Sequence, residues 1–300
     1  MTDPLSQLPW RGPGEDRPDL PLPPGKMPLR NKGILRKQWR YVAAFAEPFS
    51  VCAARVQVGP LRQTFWAVVD RERGEIHENT KLRLPGSRGE VYRQRPGGGP
   101  APNLGREKDS GLVDEIRAGD VRVRLEVGEG NWAESICPAG DTYVWTRKRC
   151  DVPIRCRVQV GDREWEADAR GVEDESAGYH PRHTVWSWSA GVGRTRDGRS
   201  VGWNLVEGVN DPTERSERSI WLDGEPSEPG PVRFEDLDAI AFDDGSRLEF
   251  SPEAERRAAQ RRPLISYEYV QPFGTFVGTL PSGIELESGL GVMEVHDAHW

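Results

Sequence analysis

The sequence predicts an all-β chain of barrel or sandwich type, long enough for two halves. Three observations carry this. Gly (33) and Pro (25) are abundant, which suits many short strands joined by turns. Apolar and polar residues alternate with period two in segment after segment, and turn signals recur every ~8–12 residues, as in sandwiches and barrels. No GxGxxG, P-loop or βαβ rhythm is present, which disfavours a nucleotide-binding α/β fold.

The elements follow in order. Residues 1–26 are Pro-rich and acidic, hold too little apolar content to fold alone, and are expected to run extended over the surface. The first half is placed at 27–145. It opens as a meander of RYVAAFA, FSVCAARVQVG and TFWAVVD, parted by Glu-Pro, Gly-Pro and Arg-Gly turns. A flexible Gly/Pro loop is expected at 95–111. Val121, Val123, Leu125 and Val127 then alternate with Arg122, Arg124 and Glu126, one face buried and the other wet. The second half is placed at 146–300. Cys156, Val158 and Val160 lead through a GDRE turn to Trp165, Ala167 and Ala169, a β-hairpin. One short helix is expected near 252–262, where PEAERRAAQRR has Pro252 near its start, good helix formers after it and a solvated charged face. Strand patterns close the chain.

Composition narrows the function classes. The net charge is −7, and no basic stripe with interleaved aromatics suggests nucleic acid. No run approaches the ~18–20 apolar residues of a transmembrane helix. The N-terminus has neither a basic n-region nor an apolar h-region, so no secretory signal is read there. Cys52, Cys137, Cys150 and Cys156 lack CxxC spacing and are expected as reduced thiols of a cytoplasmic protein, with a Cys150–Cys156 bridge as the alternative. No Ser-His-Asp signature or G-x-S-x-G elbow occurs.

Tryptophan is the outlier, with 11 copies against 3 Met. In HTVWSWSAGVG, residues 183–193, Trp186 and Trp188 share one strand face. Trp203 follows on the next strand, alternating with Asn204. These indoles either fill a core or wall a pocket for an apolar ligand, a sugar or a cation. In VMEVHDAHW, Glu294 and His296 share a face and Met293 and Val295 share the other. A carboxylate beside an imidazole is a common acid–base pairing. His180, His183, Glu294, His296 and His299 resemble ligand spacings only weakly, so no metal is assigned. Glu207 and Glu217, with Asp168 nearby, would be the carboxylate pair of a glycosidase.

Several segments together resemble one bacterial family. They are KxWRYVAxF near residue 40, HTVWSWSAGVGRTRDGRSVGWNLVEG, ERSIWLDG, QPFGTFVGTL and the ending GxxExHxAxW. In order, they are similar to the "domain of unknown function 2804" family, from about Lys26 to Trp300. That family looks related to tandem-lipocalin proteins that include carotenoid hydratases. The resemblance implies two lipocalin-like barrel or sandwich halves in tandem, abutting one another, and apolar, often isoprenoid-like ligands. It departs at Arg218, which stands where the family carries Asn, so no role resting on an amide there is transferred.

The sequence thus points to a small apolar molecule as partner, with no cofactor. The leading reading is a hydratase- or cyclase-like enzyme working by proton transfer. Glu294, His296 and Glu217 are the candidate catalytic groups, and Trp186, Trp188, Trp203, Asn204, Tyr179 and His183 the candidate substrate-binding ones. The alternatives are a non-catalytic carrier of a lipid-like ligand and a carbohydrate-active hydrolase using paired carboxylates.

Overall fold

The computed structural model describes residues 3–13, 16–83, 89–95, 99–100, 104, 112–261 and 266–300. Its strands before residue 84 are β1 (Trp10–Gly12), β2 (Arg30–Asn31), β3 (Ile34–Leu35), β4 (Lys37–Phe45), β5 (Phe49–Val58), β6 (Leu61–Asp70) and β7 (Glu75–Arg83). Then come β8 (Val91–Arg95), β9 (Gly99–Pro100), β10 (Val113–Ala118), β11 (Val121–Val127), β12 (Ala133–Ala139), β13 (Thr142–Val160) and β14 (Arg163–Gly178). The remainder are β15 (His183–Thr195), β16 (Ser200–Glu207), β17 (Ser219–Leu222), β18 (Glu225–Ser227), β19 (Val232–Glu235), β20 (Ala239–Phe242), β21 (Arg247–Arg261), β22 (Ser266–Leu280) and β23 (Ile284–His299).

Two large antiparallel sheets result. The first runs β7-β6-β5-β4-β14-β13-β11-β10-β8-β9, with β12 on β13 and β1 on β12; the second runs β18-β17-β16-β15-β23-β22-β21-β20-β19. Each sheet curls around its own core. Val51, Trp66 and Val68 near one end of the first sheet share a cluster with Val91 and Ile116 near the other. Trp203 and Ile220 likewise meet Val232, Ile240 and Phe250 in the second. The two half-barrels pack back to back, where Tyr41, Ala43, Cys52 and Val172 of the first meet Trp188, Val206, Phe273 and Val292 of the second.

The interior of the first half-barrel is apolar in one part and ionic in the other. Arg40 pairs with Asp114 at 2.7 Å and with Glu173; Arg149 also pairs with Glu173; Arg147 pairs with Glu175 at 2.8 Å. The Trp132 ring lies 3.8 Å from the Arg147 guanidinium and 4.4 Å from that of Arg149, a cation–π contact. A bulge makes this arrangement possible. The β13–β14 register slips between Cys150 and Val152, and Asp151 sits there with φ 60, its carboxylate held 2.6 Å from Arg170. Odd-numbered Arg147 and Arg149 therefore face the same way as even-numbered Ile154 and Cys156.

Three sequence expectations change. Residues 252–261 are strand, not helix. Helix formers yield there to nine of the fourteen pairings between β21 and β22, and Arg256, Ala258 and Gln260 alternate inward with exposed Arg257, Ala259 and Arg261. The division expected at 145/146 falls inside continuous β13, and the chain changes sheet at 179–182. The N-terminal segment is anchored as well as extended: Trp10, Leu22 and Met27 are buried with Ile136, Tyr143 and Trp145. The Gly/Pro loop expected at 95–111 lies mostly outside the described residues. All four cysteines are free and buried, and no described helix is long and apolar enough to cross a membrane.

Two stability changes follow. A Cβ on Gly191 would lie 2.3 Å from Cζ2 of fully buried Trp203 and 2.7 Å from the Leu290 carbonyl, so Gly191→Ala should destabilise by about 1–3 kcal/mol in urea unfolding. Burial alone raises a carboxyl pKa, but Arg40, Arg149 and Arg93 outweigh it and hold Glu173 down at about 2. Its contribution is complete above the ~4.3 of an unfolded Glu and is lost as pH falls toward 2. Glu173→Gln should cost about 3–5 kcal/mol near neutrality and flatten the acid limb of a stability–pH profile.

Candidate functional site

The candidate site is a cavity of about 360 Å³ between the two half-barrels. Its wall from the second sheet follows from register. Trp186 pairs with His296 and Trp188 with Glu294 across β15 and β23. Tyr269 of β22 pairs with His296, and on β21 Ala258 pairs with Tyr269 and Arg256 with Gln271. Two rungs of side chains thus point to one face. Trp39 and Tyr41 of β4, Ala54 and Val56 of β5, and Phe65 of β6 oppose them from the first sheet.

One end of the cavity is a hydrogen-bonded relay. Glu294 Oε1 accepts from Trp186 Nε1 at 3.0 Å, and its Oε2 accepts from Gln271 Nε2 at 2.8 Å. The Tyr269 hydroxyl donates to Gln271 Oε1 at 3.0 Å and accepts from Arg256. Arg256 reaches across to the first sheet, 2.7 Å from Glu78 and 2.6 Å from Thr80 Oγ1. Its guanidinium lies 4.1 Å from the Phe65 ring and 4.8 Å from that of Tyr269. Burial pushes the Tyr269 phenol well above its ordinary range. His296 stacks on Trp186 with ring centroids 4.1 Å apart. Its Nδ1 lies 3.6 Å from Glu294 Oε1, and its buried Nε2 has no hydrogen-bond partner among the described residues.

The other end gathers Lys148, Asp174, His180, Asn210 and Glu217. Lys148 Nζ is 2.6 Å from Asp174 and 3.5 Å from Glu217; Glu217 Oε2 accepts from Asn210 at 2.9 Å. Burial, reinforced by the Asp174 charge, raises the Glu217 carboxyl against the pull of Lys148 and Asn210. Trp39 lies 5.1 Å from the His180 ring.

Of the candidate catalytic and substrate-binding residues, Trp186, Trp188, Glu217, Glu294 and His296 line this cavity. Four do not. Trp203 lies in the core of the second half-barrel, its Nε1 donating to Ser189 at 3.1 Å; Gly191 is its cross-strand partner, so it faces away from Trp186 and Trp188. Asn204 stands behind the wall, accepting from Trp188 Nε1 at 2.8 Å and donating to the Glu217 carbonyl at 3.1 Å. Tyr179 packs on Tyr143 and donates to the Pro28 carbonyl at 2.8 Å. His183 is exposed, stacked 3.9 Å from His299 with Nε2 2.9 Å from Asp297, so the two histidine motifs split between cavity and surface. The glycosidase pair does not assemble: Glu207 accepts from the Phe234 backbone on the far face of β16, and Asp168 is exposed. Sequence reasoning missed Arg256, Tyr269, Gln271, Lys148 and Asp174 as site residues and weighed His180 only as a metal ligand. The alternation Tyr267-x-Tyr269-x-Gln271 was the available signal.

The family model described as "Domain of unknown function (DUF2804)" matches residues 118–300, more than half the chain. No curated protein matches the sequence. Among solved structures, kievitone hydratase from Nectria haematococca is similar at 12% identity and TM-score 0.53, over 86% of this chain and 88% of that one. A protein described as AttH from Nitrosomonas europaea is similar at 14% identity and TM-score 0.48, over 92% and 98%. CghA bound to Sch210972 is similar at 9% identity and TM-score 0.42, over 88% of each. The likeness to kievitone hydratase shows a shared fold.

His180 supplies a pH test of this geometry. Burial, with Lys37 and Lys148 nearby, lowers its imidazole to about 3. An unfolded His takes up a proton near ~6.5 that the folded one refuses until about 3, so stability is complete above ~6.5 and falls with pH by up to ~1.4 kcal/mol per unit. Replacing it by His180→Gln should flatten the stability–pH slope between about pH 6 and 4 in urea unfolding.

Proposed function

The chain belongs to the family described as domain of unknown function 2804, and from that premise we propose that it hydrates or cyclises an apolar small molecule by proton transfer inside the cavity. The observation that carries this is His296. Its Nε2 is buried at the cavity wall without a partner among the described residues, while Nδ1 faces Glu294. An imidazole is the side chain best suited to exchange protons near neutrality. Trp186 and Gln271 each occupy one Glu294 oxygen, so the carboxylate is held in place to orient the ring and stabilise its cationic form.

In the hydration route, protonated His296 gives its Nε2 proton to one alkene carbon. The neighbouring carbon becomes cationic beside Trp186, Trp188, Tyr41 and Phe65, whose π faces attract positive charge. Water adds there, and its released proton returns to His296, so the ring ends as it began. In the cyclisation route an internal alkene or hydroxyl replaces the water. The fold shared with kievitone hydratase supports the reading, since that scaffold carries a hydratase.

The test begins with the molecule that co-purifies from the native host, identified by mass spectrometry. Wild type should convert it or its alkene precursor with gain of one water or by isomerisation. His296→Ala and Glu294→Gln should still bind it, with turnover reduced about 10²–10⁴-fold. Undiminished turnover in both variants overturns the assignment, and tight binding without turnover by wild type makes the protein a carrier.

A further inference from the structure

The end of the cavity away from His296 has its own chemistry. Lys148, Asp174 and Glu217 are buried there, with His180 beside them from the segment that joins the sheets. Lys148 is shared by two carboxyl groups. Like charges at one buried site cannot both be comfortable, and the carboxyl with the poorer cation contact keeps a proton. The longer contact belongs to Glu217, whose other oxygen already accepts from Asn210. A buried neutral acid of this kind is a hydrogen-bond donor.

The unpartnered atoms at this end are of mixed type. Both ring nitrogens of His180 and Oδ1 of Asp174 are buried without a hydrogen-bond partner among the described residues. A neutral imidazole offers one donor and one acceptor, and a carboxylate oxygen accepts only. Leaving such groups unmatched is costly in an apolar surround. A ligand carboxylate would meet the Asp174 carboxylate, and a ligand ammonium would meet Lys148 and Lys37, whose Nζ lies 2.7 Å from the His180 carbonyl oxygen.

We infer that the Glu217–His180 end of the cavity is a receptor for an uncharged oxygen, a carbonyl or hydroxyl, at one end of an otherwise apolar ligand. This rests on the cavity being the ligand site. It narrows the substrate class to neutral oxygenated apolar molecules, held by the oxygen at one end so that the reacting carbon reaches His296 at the other.

The test uses two naphthalene fluorophores: 6-propionyl-2-(dimethylamino)naphthalene, a ketone, and 2-(dimethylamino)naphthalene, which lacks it. Binding is followed by fluorescence titration, with the ketone's emission wavelength reporting its hydrogen bonding. The ketone should bind roughly tenfold more tightly, with red-shifted emission. Glu217→Met should remove both the preference and the shift. Glu217→Gln, neutral and still a donor, should retain them. His180→Phe should weaken the preference, and unchanged binding of the ketone-free probe confirms that each variant is folded. Equal binding of both probes to wild type overturns the inference while the cavity reading stands. So does tighter binding of 2-naphthoate or 2-naphthylmethylamine than of the ketone. Binding of no probe overturns the cavity reading itself.

Discussion

Two runs of three charged residues hold the wall between the half-barrels. Arg147, Lys148 and Arg149 on β13 stand directly opposite Glu175, Asp174 and Glu173 on β14. Side chains alternate across a sheet, so the outer two rungs enter the first half-barrel and the middle rung enters the cavity. All six residues are buried. Neither face of this stretch meets water, and charge can stay there only because every rung is matched. Slipping the pair by one residue would set one arginine opposite Val172 or Ser176 and one glutamate opposite Thr146 or Cys150, leaving a buried charge of each sign unmatched. The ladder therefore ties the register of the first half-barrel to the polarity of the cavity.

The cavity is then a seam between two convex surfaces. Small side chains let the sheets approach over most of it: Gly202 comes so close to Cys150 that an added Cβ would lie 2.7 Å from that residue's own. At the cavity large aromatic residues of both sheets line the space between them without filling it. Arg256 spans the gap there, rooted on β21 and bonded to Glu78 and Thr80 of β7. A guanidinium suits this task, since its planar fork bonds several partners while its faces lie against Phe65 and Tyr269. The apolar middle and the two polar ends thus have separate structural origins.

Much of this was legible in the sequence because strand parity is local. That Trp186 and Trp188 share a face, and Glu294 and His296 another, needs only counting by two. That the two faces are the same needs the β15–β23 register, a long-range fact. Trp203 shows the limit: its strand was identifiable, but its face depended on pairing with Gly191 and not with Ala190. The stretch at 252–261 shows another, since Glu, Arg and Ala read as helix until a partner strand overrides propensity. Lys148 and Asp174 were hidden for a third reason. Runs such as Arg-Lys-Arg and Glu-Asp-Glu look solvated until each is known to cover the other.

Asp151 gives strand β13 two phases. Upstream of it odd positions point into the first half-barrel; downstream even positions do, and the switch takes one residue. The two parts of the strand therefore experience opposite rules for which positions tolerate polar side chains. The downstream part keeps one wet face and is free to vary there, whereas the upstream part has no free face. The consequence reaches past substitutions to chain length. Deleting Asp151 would leave Cys150 and Val152 opposite the adjacent Val172 and Gly171 and every later side chain on its present face, whereas removing a residue farther along the strand would turn the side chains beyond it over. Parity on either side of the bulge, more than composition or length, is what this hairpin must conserve.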